Sequence, residues 1–306
     1  MLIRDLVIIG GGPAGLTAGI YAARADLKTT LFEMGMPGGL AASTEIIENY
    51  PGFKEGVGGP ELSMDMEAQA RRFGLEVAFS GVEEIVKQDN YFVLKTDDGE
   101  FRAGAVIIST GAKPRMLQVK GEKVFHGRGV SYCATCDGAL FRGKKVAVIG
   151  GGDSAVEEAL FLTKFVEKVI IVHRRGELRA TKYLQQKALN NDKIEFFWHG
   201  VPVEIIGEDT VSGVAVRDVR SDAVSEISVD GVFVYVGHNP STELVKGMVD
   251  LDQTGYIITD DQMRTTTPGL FAAGDVRKKL LRQVVTAVAD GAIAAVSAEK
   301  YLEGLR

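Results

Sequence analysis

Cys133 and Cys136 are the only two cysteines of this 306-residue chain, and two residues separate them. Thiols at this spacing can bind a metal, form a structural disulfide or exchange electrons reversibly. Zinc normally takes four protein ligands, and none of the four histidines stands at a finger-like spacing from the cysteines. A disulfide across two residues closes a loop too small to constrain the unfolded chain much. The pattern therefore favours redox chemistry, and no metal site is predicted.

A glycine pattern suited to binding phosphates occurs twice, at a constant offset of 140 residues. In each copy an apolar run ends in glycines and a helical stretch follows, which is the context that makes a G-x-G-x-x-G motif informative. The first glycine allows a tight turn, the second lets a pyrophosphate approach the backbone, and the third small residue allows close helix packing. We predict that each copy binds a dinucleotide through amides at its helix start. The residues concerned are Gly10, Gly12, Pro13, Ala14 and Gly15 in the first copy, and Gly150, Gly152, Asp153, Ser154 and Ala155 in the second.

The two copies differ at the residue that follows the second strand. In the first copy this residue is Glu33, whose carboxylate can accept hydrogen bonds from ribose hydroxyls. The equivalent segment of the second copy is basic and contains His173, Arg174, Arg175 and Arg179. An acid would repel a 2′-phosphate, whereas arginines attract it and clamp it with forked hydrogen bonds. The first copy therefore suits an adenosine with a free ribose, and the second suits NADPH rather than NADH.

The elements that position these residues follow from the apolar pattern. Short runs rich in Val and Ile predict buried strands at 6–9, 105–108, 146–149, 169–172 and 232–236. Helices are predicted at 16–24 and 156–163, a hairpin at 91–102 and an antiparallel meander at 213–236. Lys278 and Lys279 are expected on a solvated face. The predicted fold class is α/β, with two Rossmann-like dinucleotide-binding domains, each a three-layer arrangement with a central parallel sheet and an antiparallel β-meander.

Composition limits the partners and the compartment. A chain of 306 residues, 45% hydrophobic, is long enough for two domains. Its net charge of −6 argues against nucleic acid as the main partner. No segment approaches the roughly 18 apolar residues of a membrane span, and Arg4 and Asp5 interrupt the N-terminal apolar stretch, unlike a signal peptide. Two cysteines in such a chain fit a reducing compartment, so the cytoplasm is predicted.

The chain as a whole resembles the low-molecular-weight thioredoxin reductases, within the flavoprotein superfamily that has two dinucleotide-binding domains. The matching segments, in order, are 10–15, 48–52, 109–112, 133–138, 150–155, 173–175 with Arg179, 237–238, 271–275 and 282–285. The resemblance implies that the first nucleotide is FAD and the second NADPH. It also implies a thioredoxin as protein substrate and a homodimer.

The resemblance further implies a domain inserted in another. Residues 1–112 and 245–306 would form the FAD domain, and residues 113–244 an inserted NADPH domain that carries the cysteines. Gly274 and Asp275 would make a second FAD contact, with Arg282 and Gln283 near the flavin ring. The other cofactor-binding residues implied are Gly38, Gly39, Leu40, Asn49, Gly111 and Val284. Leu40 departs from the family pattern, because many relatives have glutamine there, and a lost polar contact would alter the flavin potential.

The implied mechanism passes a hydride from NADPH to FAD and then two electrons to the Cys133–Cys136 disulfide. By resemblance, Cys136 is the thiol nearer the flavin, and Cys133 attacks the disulfide of thioredoxin. Asp137 would protonate the departing thiolate, and it also suits the positive end of a following helix. The thiols and the nicotinamide must reach one flavin in turn. We therefore predict that the inserted domain rotates about joints near 111–114 and 237–240.

Several alternatives to this function would have a different sequence pattern. A dithiol oxidase or a ferredoxin-fed reductase would lack the second glycine pattern and the arginines. A peroxiredoxin-reducing relative would carry an extra N-terminal thioredoxin-like region. Two alternatives stay open: a flavin-dependent reductase of another thioredoxin-like acceptor, and a non-enzymatic NADPH-binding redox sensor.

Overall fold

The computed structural model describes residues 2–44 and 46–305, which form two compact units. Unit 1 contains the chain up to Lys113 and again from Asn239 onward, and unit 2 contains Pro114–His238. Unit 2 is therefore inserted between two segments of unit 1. Within the described residues, no helix combines the length and the apolar character needed to cross a membrane.

The secondary structure alternates strands and helices in both units. The strands are β1 (Leu2–Ile9), β2 (Thr29–Phe32), β3 (Ile46–Ile47), β4 (Val57–Gly58), β5 (Glu76–Ala78), β6 (Val82–Gln88), β7 (Tyr91–Thr96), β8 (Gly99–Ile108), β9 (Ala112–Pro114), β10 (Val130–Ser131), β11 (Lys145–Gly150), β12 (Lys168–His173), β13 (Ile194–Trp198), β14 (Gly200–Gly207), β15 (Val211–Asp218), β16 (Val224–Ser228), β17 (Gly231–Tyr235), β18 (His238–Pro240) and β19 (Leu270–Ala272). The α-helices are α1 (Pro13–Arg24), α2 (Gly59–Arg72), α3 (Ala134–Asp137), α4 (Asp153–Leu162), α5 (Lys182–Leu189) and α6 (Val284–Glu303). Short 3₁₀ helices lie at Gly39–Ser43, Gly138–Phe141, Glu243–Val245 and Gly274–Val276.

The main sheet of unit 1 has the strand order β5-β2-β1-β8-β7-β6, and β19 pairs with β8. Strands β5, β2, β1, β8 and β19 are parallel, whereas β8, β7 and β6 form an antiparallel meander. The sequence separated the hairpin arm at 100–102 from the buried strand at 105–108, but both belong to the single strand β8. Burial alternates at its start and becomes continuous over 105–108, because the strand leaves the hairpin edge and enters the middle of the sheet.

Helices α1 and α6 cover one face of this sheet and pack closely on each other. A Cβ atom added at Gly291 of α6 would lie 2.1 Å from the carbonyl oxygen of Ala14. Glycine therefore lets the backbone of α6 contact the first turn of α1, which holds the start of α1 in place.

Unit 2 contains a five-stranded parallel sheet in the order β10-β17-β11-β12-β13 and an antiparallel sheet in the order β14-β15-β16. The predicted meander at 213–236 was partly wrong. Strand β17 lies in the parallel sheet instead, and the missing meander strand is β14. The reason is burial: the first four residues of β17 are all buried, so both faces of that strand are covered.

The same β–α–β arrangement occurs in both units, with the same register. Leu6 pairs with Thr29 in unit 1, and Val146 pairs with Val169 in unit 2, so the pairing repeats at the 140-residue offset of the glycines. The predicted α/β class with two dinucleotide-binding folds is confirmed. The chain crosses between the units in β9 and β18, which pair with each other as a two-stranded sheet.

Candidate nucleotide and disulfide sites

Cys133 and Cys136 form a disulfide at the start of α3. Cys133 is the residue that caps this helix, and its Sγ accepts a hydrogen bond from the backbone N–H of Cys136 at 3.1 Å. An amide directed at sulfur stabilises a thiolate once the bond is reduced. In this structure, Cys133 Sγ is the sulfur that accepts this amide hydrogen bond.

Two side chains that the sequence did not predict hold this segment. Ser131 Oγ lies 2.7 Å from Oδ2 of Asp137 and accepts from the backbone N–H of Cys133 at 3.0 Å. Tyr235 Oη accepts from the backbone N–H of Ala134 at 2.8 Å. Burial, followed by the negative charge of Glu158, raises the pKa of Tyr235, so it remains a neutral phenol.

The first glycine turn divides its glycines into two kinds. Gly10 has φ +103°, and a Cβ there would lie 2.4 Å from the Ser109 carbonyl oxygen. A Cβ at Gly15 would lie 1.9 Å from the Gly10 carbonyl oxygen. Gly12, just before α1, has an ordinary φ of −72°, and a Cβ there would meet nothing within 4 Å. Close packing explains why Gly10 and Gly15 are glycines. Gly12 instead leaves open space above the backbone where a pyrophosphate can approach.

The second glycine turn shows the same division. Gly150 has φ +152°, and a Cβ there would lie 2.4 Å from the Tyr235 carbonyl oxygen and 2.8 Å from the Cβ of Ala155. Gly152 has φ −90° and open space where its side chain would be. Helix α4 begins at Asp153, and the next residue, Ser154, is exposed. This turn also offers free backbone to an anion at a helix start.

Glu33 lies at the end of β2, beside the first turn. Its Oε2 accepts from the backbone N–H of Gly11 at 2.7 Å, and its Oε1 accepts from that of Gly35 at 2.9 Å. These two bonds fix the carboxylate next to the glycines, and each oxygen keeps a second lone pair for a ribose hydroxyl.

His173 occupies the equivalent place at the end of β12, and it is buried. A Cβ at Gly151 would lie 2.4 Å from its Nδ1, so the ring packs on the second turn. Burial lowers the pKa of His173, and the charges of Arg179, Arg175 and Arg174 lower it further. The ring is therefore neutral, and its Nε2 has no hydrogen-bond partner among the described residues.

The three arginines are exposed around that histidine. The backbone N–H of Arg179 donates to the Gly151 carbonyl oxygen at 2.7 Å, which ties the arginine segment to the second turn. The structure thus brings His173, the arginines and the glycines of unit 2 together.

The C-terminal segment meets the first turn at Gly274. A Cβ at this position, where φ is +80°, would lie 2.8 Å from the Cβ of Ala14, and Asp275 is the next residue. The backbone N–H of Gly274 donates to Oδ2 of Asp290 on α6 at 3.1 Å. The predicted contact segment therefore lies against the start of α1.

Asp290 also forms ion pairs with two basic side chains. Its carboxylate lies 3.0 Å from Nη1 of Arg277 and 2.9 Å from Nζ of Lys279. The expected solvated position of Lys279 was wrong, because its side chain is only 8% exposed, whereas Lys278 is exposed. Two adjacent lysines in the sequence do not show that one of them reaches a carboxylate on a distant helix.

The other predicted residues of unit 1 lie in loops or at the start of α6. Asn49 Nδ2 donates to Oε1 of Gln283 at 3.0 Å, so two distant motifs meet at the N-terminus of α6, whose first residue is Val284. The guanidinium of Arg282 stacks 3.8 Å from the ring centroid of Tyr256.

Two further segments carry the remaining predicted glycines. The backbone N–H of Gly38 donates to the Gly11 carbonyl oxygen at 2.7 Å, and Gly39 and the 41%-exposed Leu40 follow it. Gly111 has φ +64° and lies just before β9. No three His, Cys, Asp or Glu side chains within residues 2–44 and 46–305 are placed to hold a metal ion.

Comparison with known proteins shows the family of this chain. The family model described as pyridine nucleotide-disulphide oxidoreductase matches residues 4–291. The chain belongs to this family. Thioredoxin reductase of Bacillus subtilis (strain 168) is 48% identical over 305 residues, which cover 99% of this chain and 96% of that protein. Thioredoxin reductase of Peptoclostridium litorale is 50% identical over 309 residues, with 99% and 98% covered.

A solved structure of the same family has a very similar fold. The crystal structure of Lactococcus lactis thioredoxin reductase in its FR conformation superposes with a TM-score of 0.96 at 49% identity, covering 98% of this chain and 99% of that chain. The resemblance noted from the motifs is confirmed. The sequence motifs located the disulfide and both glycine turns. They did not indicate Ser131, Tyr235 or Asp290, because these residues belong to no motif with a recognisable spacing.

Proposed function

We propose that this chain is an NADPH-dependent thioredoxin reductase that uses FAD and the Cys133–Cys136 disulfide. The observation that carries the proposal is that disulfide, positioned at a helix start in a unit that has its own dinucleotide-binding turn. A structural staple has no need of either feature. The names and near-complete coverage of the relatives support the same activity.

The residues of unit 1 suit FAD. Gly12 provides open backbone for a pyrophosphate, Glu33 is fixed where a ribose would lie, and Gly274 lies against the start of α1. We assign unit 1 to FAD and unit 2 to NADPH, so that the predicted joints at 112/113 and 244/245 move to Lys113/Pro114 and His238/Asn239, the boundaries of the two compact units. When bound, the two cofactors supply hydride transfer and two-electron reduction of the disulfide. The FAD-binding set is Gly10, Gly12, Pro13, Ala14, Gly15, Glu33, Gly38, Gly39, Leu40, Asn49, Gly111, Gly274, Asp275, Arg282, Gln283 and Val284.

The residues of unit 2 suit NADPH rather than NADH. Arg174, Arg175 and Arg179 would bind the 2′-phosphate, and neutral His173 adds no charge of its own. Its unpartnered Nε2 is a buried polar atom at the predicted nucleotide site, where a ligand can satisfy it. The rest of the NADPH-binding set is Gly150, Gly152, Asp153, Ser154 and Ala155.

From the dithiol form onward, the chemistry belongs to this chain. The Cys133 thiolate attacks one sulfur of the acceptor disulfide, so the acceptor S–S bond breaks and a Cys133–acceptor S–S bond forms. The departing acceptor sulfur takes a proton from Asp137 in its acid form. Cys136 then attacks Cys133 Sγ, its proton passes to the second acceptor sulfur, and the enzyme disulfide is restored as the acceptor leaves as a dithiol.

Turnover in this scheme also requires movement of unit 2. The thiols and the NADPH-binding turn both lie in that unit, so they must approach one flavin in turn. We propose rotation about β9 and β18, the two segments in which the chain crosses between the units. A cross-link that fixes the units together should abolish thioredoxin reduction by NADPH.

The physiological setting is part of the proposal. We propose a cytoplasmic homodimer whose protein substrate is a thioredoxin, with neither nucleic acid nor a membrane as partner. The family resemblance supports the dimer, and the two-cysteine composition supports a reducing compartment.

The decisive experiment is purification, an absorption spectrum and anaerobic titration with NADPH or NADH, with and without thioredoxin. We expect a yellow protein that is reduced by NADPH and passes electrons to thioredoxin. A Cys133→Ser variant should keep flavin reduction and lose thioredoxin reduction. A colourless protein would exclude FAD, and nucleotide binding without turnover would instead indicate a redox sensor.

A further inference from the structure

Ser131 links the two groups that carry the proposed exchange chemistry. Its hydroxyl oxygen accepts from the backbone N–H of Cys133 at 3.0 Å and lies 2.7 Å from Oδ2 of Asp137. The hydroxyl proton can go to that carboxylate oxygen or to the Cys133 carbonyl oxygen at 3.2 Å. The carboxyl oxygen of Asp137 is the nearer of the two acceptors, at 2.7 Å against 3.2 Å, so Ser131 donates to Asp137.

The serine is fixed more firmly than the carboxyl that it contacts. Ser131 is 4% exposed and is the last residue of β10, where it pairs with Phe233 of the parallel sheet. Asp137 is half-buried and ends the four-residue helix α3. A donor on a packed strand can therefore set the orientation of an acid on a short helix.

We propose that Ser131 is a positioning residue that holds the Asp137 carboxyl ready to give its proton to the sulfur leaving the acceptor disulfide; this inference rests on the proposed function. Because Oδ2 accepts from Ser131, Oδ1 is the oxygen left to carry the proton. Ser131 itself transfers no proton. As Asp137 becomes a carboxylate, the bond from Ser131 strengthens, which stabilises the charge that develops during the exchange.

Tyr235 provides a contrast within the same segment. It accepts from the backbone N–H of Ala134 at 2.8 Å, so it supports the main chain of α3. Removing its hydroxyl should disturb the disulfide segment whether or not residue 137 can give a proton. Removing the hydroxyl of Ser131 should matter mainly when residue 137 is an acid.

The test measures disulfide exchange by the protein's own dithiol, without NADPH turnover. Holoprotein is reduced anaerobically with dithiothreitol, desalted, mixed with a disulfide and quenched with an alkylating reagent that reports thiols. The disulfides are oxidised thioredoxin, hydroxyethyl disulfide and dithiobis(nitrobenzoate). The aromatic thiol of the last compound leaves readily as a thiolate and needs no acid, whereas an alkyl thiol needs one.

A double-mutant cycle then isolates the role of Ser131. We expect Asp137→Asn to slow exchange with thioredoxin and with the alkyl disulfide by about 100-fold, the low end for general acid catalysis, and Ser131→Ala by about 10-fold. In the Asp137→Asn background, Ser131→Ala should slow exchange by no more than about 2-fold. With the aromatic disulfide, both variants should react at nearly the wild-type rate.

Two controls separate positioning from structural damage. Tyr235→Phe should slow exchange by the same factor in both backgrounds and with all disulfides, and Ser228→Ala, at an exposed serine on β16, should have no effect. The proposal is overturned if Ser131→Ala costs the same factor with and without Asp137, or slows the aromatic disulfide equally.

The remaining outcomes also support or contradict the positioning role of Ser131. Should Ser131→Ala fail to fold, Ser131→Thr keeps a donor hydroxyl and should stay within about 3-fold of wild type, as expected if the hydroxyl alone matters. A Ser131→Thr variant as slow as Asp137→Asn would contradict the proposal. If the wild-type dithiol reduces the alkyl disulfide but not thioredoxin, the proposed acceptor is wrong. The double-mutant cycle measured with the alkyl disulfide still tests the positioning role of Ser131.

Discussion

The two glycine turns have nearly the same backbone and opposite surroundings. Each has one glycine fixed by its φ angle and one glycine with empty space above it. At the end of the next strand, Glu33 is fixed by two amides in unit 1, whereas His173 in unit 2 is a buried neutral ring among arginines. Under the proposed function, the turn would recognise what all dinucleotides share, and the residue at the end of the second strand would select among them.

A second difference concerns what lies behind each turn. In unit 1, Asp290 of α6 binds the Gly274 amide, Arg277 and Lys279 against the start of α1. In unit 2, Ala155 replaces the third glycine, so that turn accommodates a methyl group where the first turn has no room. The first turn is therefore tighter and depends on a distant helix.

The largest expected effect tests that dependence. Asp290→Ala would leave two nearly buried cations without their shared carboxylate, and we expect a loss of about 3–5 kcal/mol in the free energy of unfolding of unit 1. Urea unfolding measures it. Glu84→Ala, which breaks the exposed pair with Lys95, should cost far less, because water screens that pair. Equal costs would mean that the buried cluster does not support the turn.

The next effect compares glycines within the first turn. Gly15→Ala would place a methyl group 1.9 Å from a backbone oxygen and should cost about 2–3 kcal/mol. Gly12→Ala should cost less than about 1 kcal/mol in the cofactor-free protein, because nothing surrounds it, and yet weaken FAD retention. Urea midpoints and flavin content after dialysis separate the two. Normal flavin retention by Gly12→Ala would show that no phosphate approaches that position.

A third prediction sharpens the chemical difference between the turns. Replacing Arg174 and Arg175 by Gln should weaken NADPH binding about 10-fold, because charge-assisted bonds to the 2′-phosphate are lost, and leave NADH binding unchanged. Calorimetric titration measures both affinities. Arg217→Gln, on β15, is the matched control. Parallel losses for the two nucleotides would remove the basis for the NADPH assignment.

The smallest effect is a pH dependence. The folded-state pKa of His173 lies below its ordinary value near 6.5, so the unfolded chain binds a proton first as the pH falls. The stability that the neutral His173 ring contributes is fully present when the pH lies above 6.5, the ordinary pKa. This stability is lost as the pH falls from that value towards the folded-state pKa. We expect His173→Asn to reduce the loss of stability between pH 7.5 and 5.5 by about 1 kcal/mol, measured by urea unfolding. An unchanged pH dependence would contradict a buried neutral ring.

Much of this architecture could be predicted because it is local and repeated. Apolar runs, glycines and the 140-residue offset determine strands, turns and the two nucleotide folds without knowledge of distant contacts. The segment of strand β17 was predicted both as a buried strand at 232–236 and as part of the meander, and its burial on both faces bears out the first prediction and contradicts the second.

The polar partners could not be predicted in the same way. Tyr235 meets Ala134 across 101 residues, and Asn49 meets Gln283 across 234. Ser131 is close in sequence to both cysteines, but a serine two residues before a cysteine indicates nothing until the folded chain brings its hydroxyl to Asp137. Hydrogen bonds of this kind depend on three-dimensional position, which no periodicity encodes.

The discontinuity of unit 1 has a consequence for synthesis on the ribosome. Residues 114–238 emerge as a complete unit, whereas the first glycine turn waits for β19, Gly274 and α6 at the end of the chain. The second unit can therefore fold while the N-terminal strands are still without their last partners. Premature termination anywhere in the final helix would leave a finished domain joined to an unfinished one.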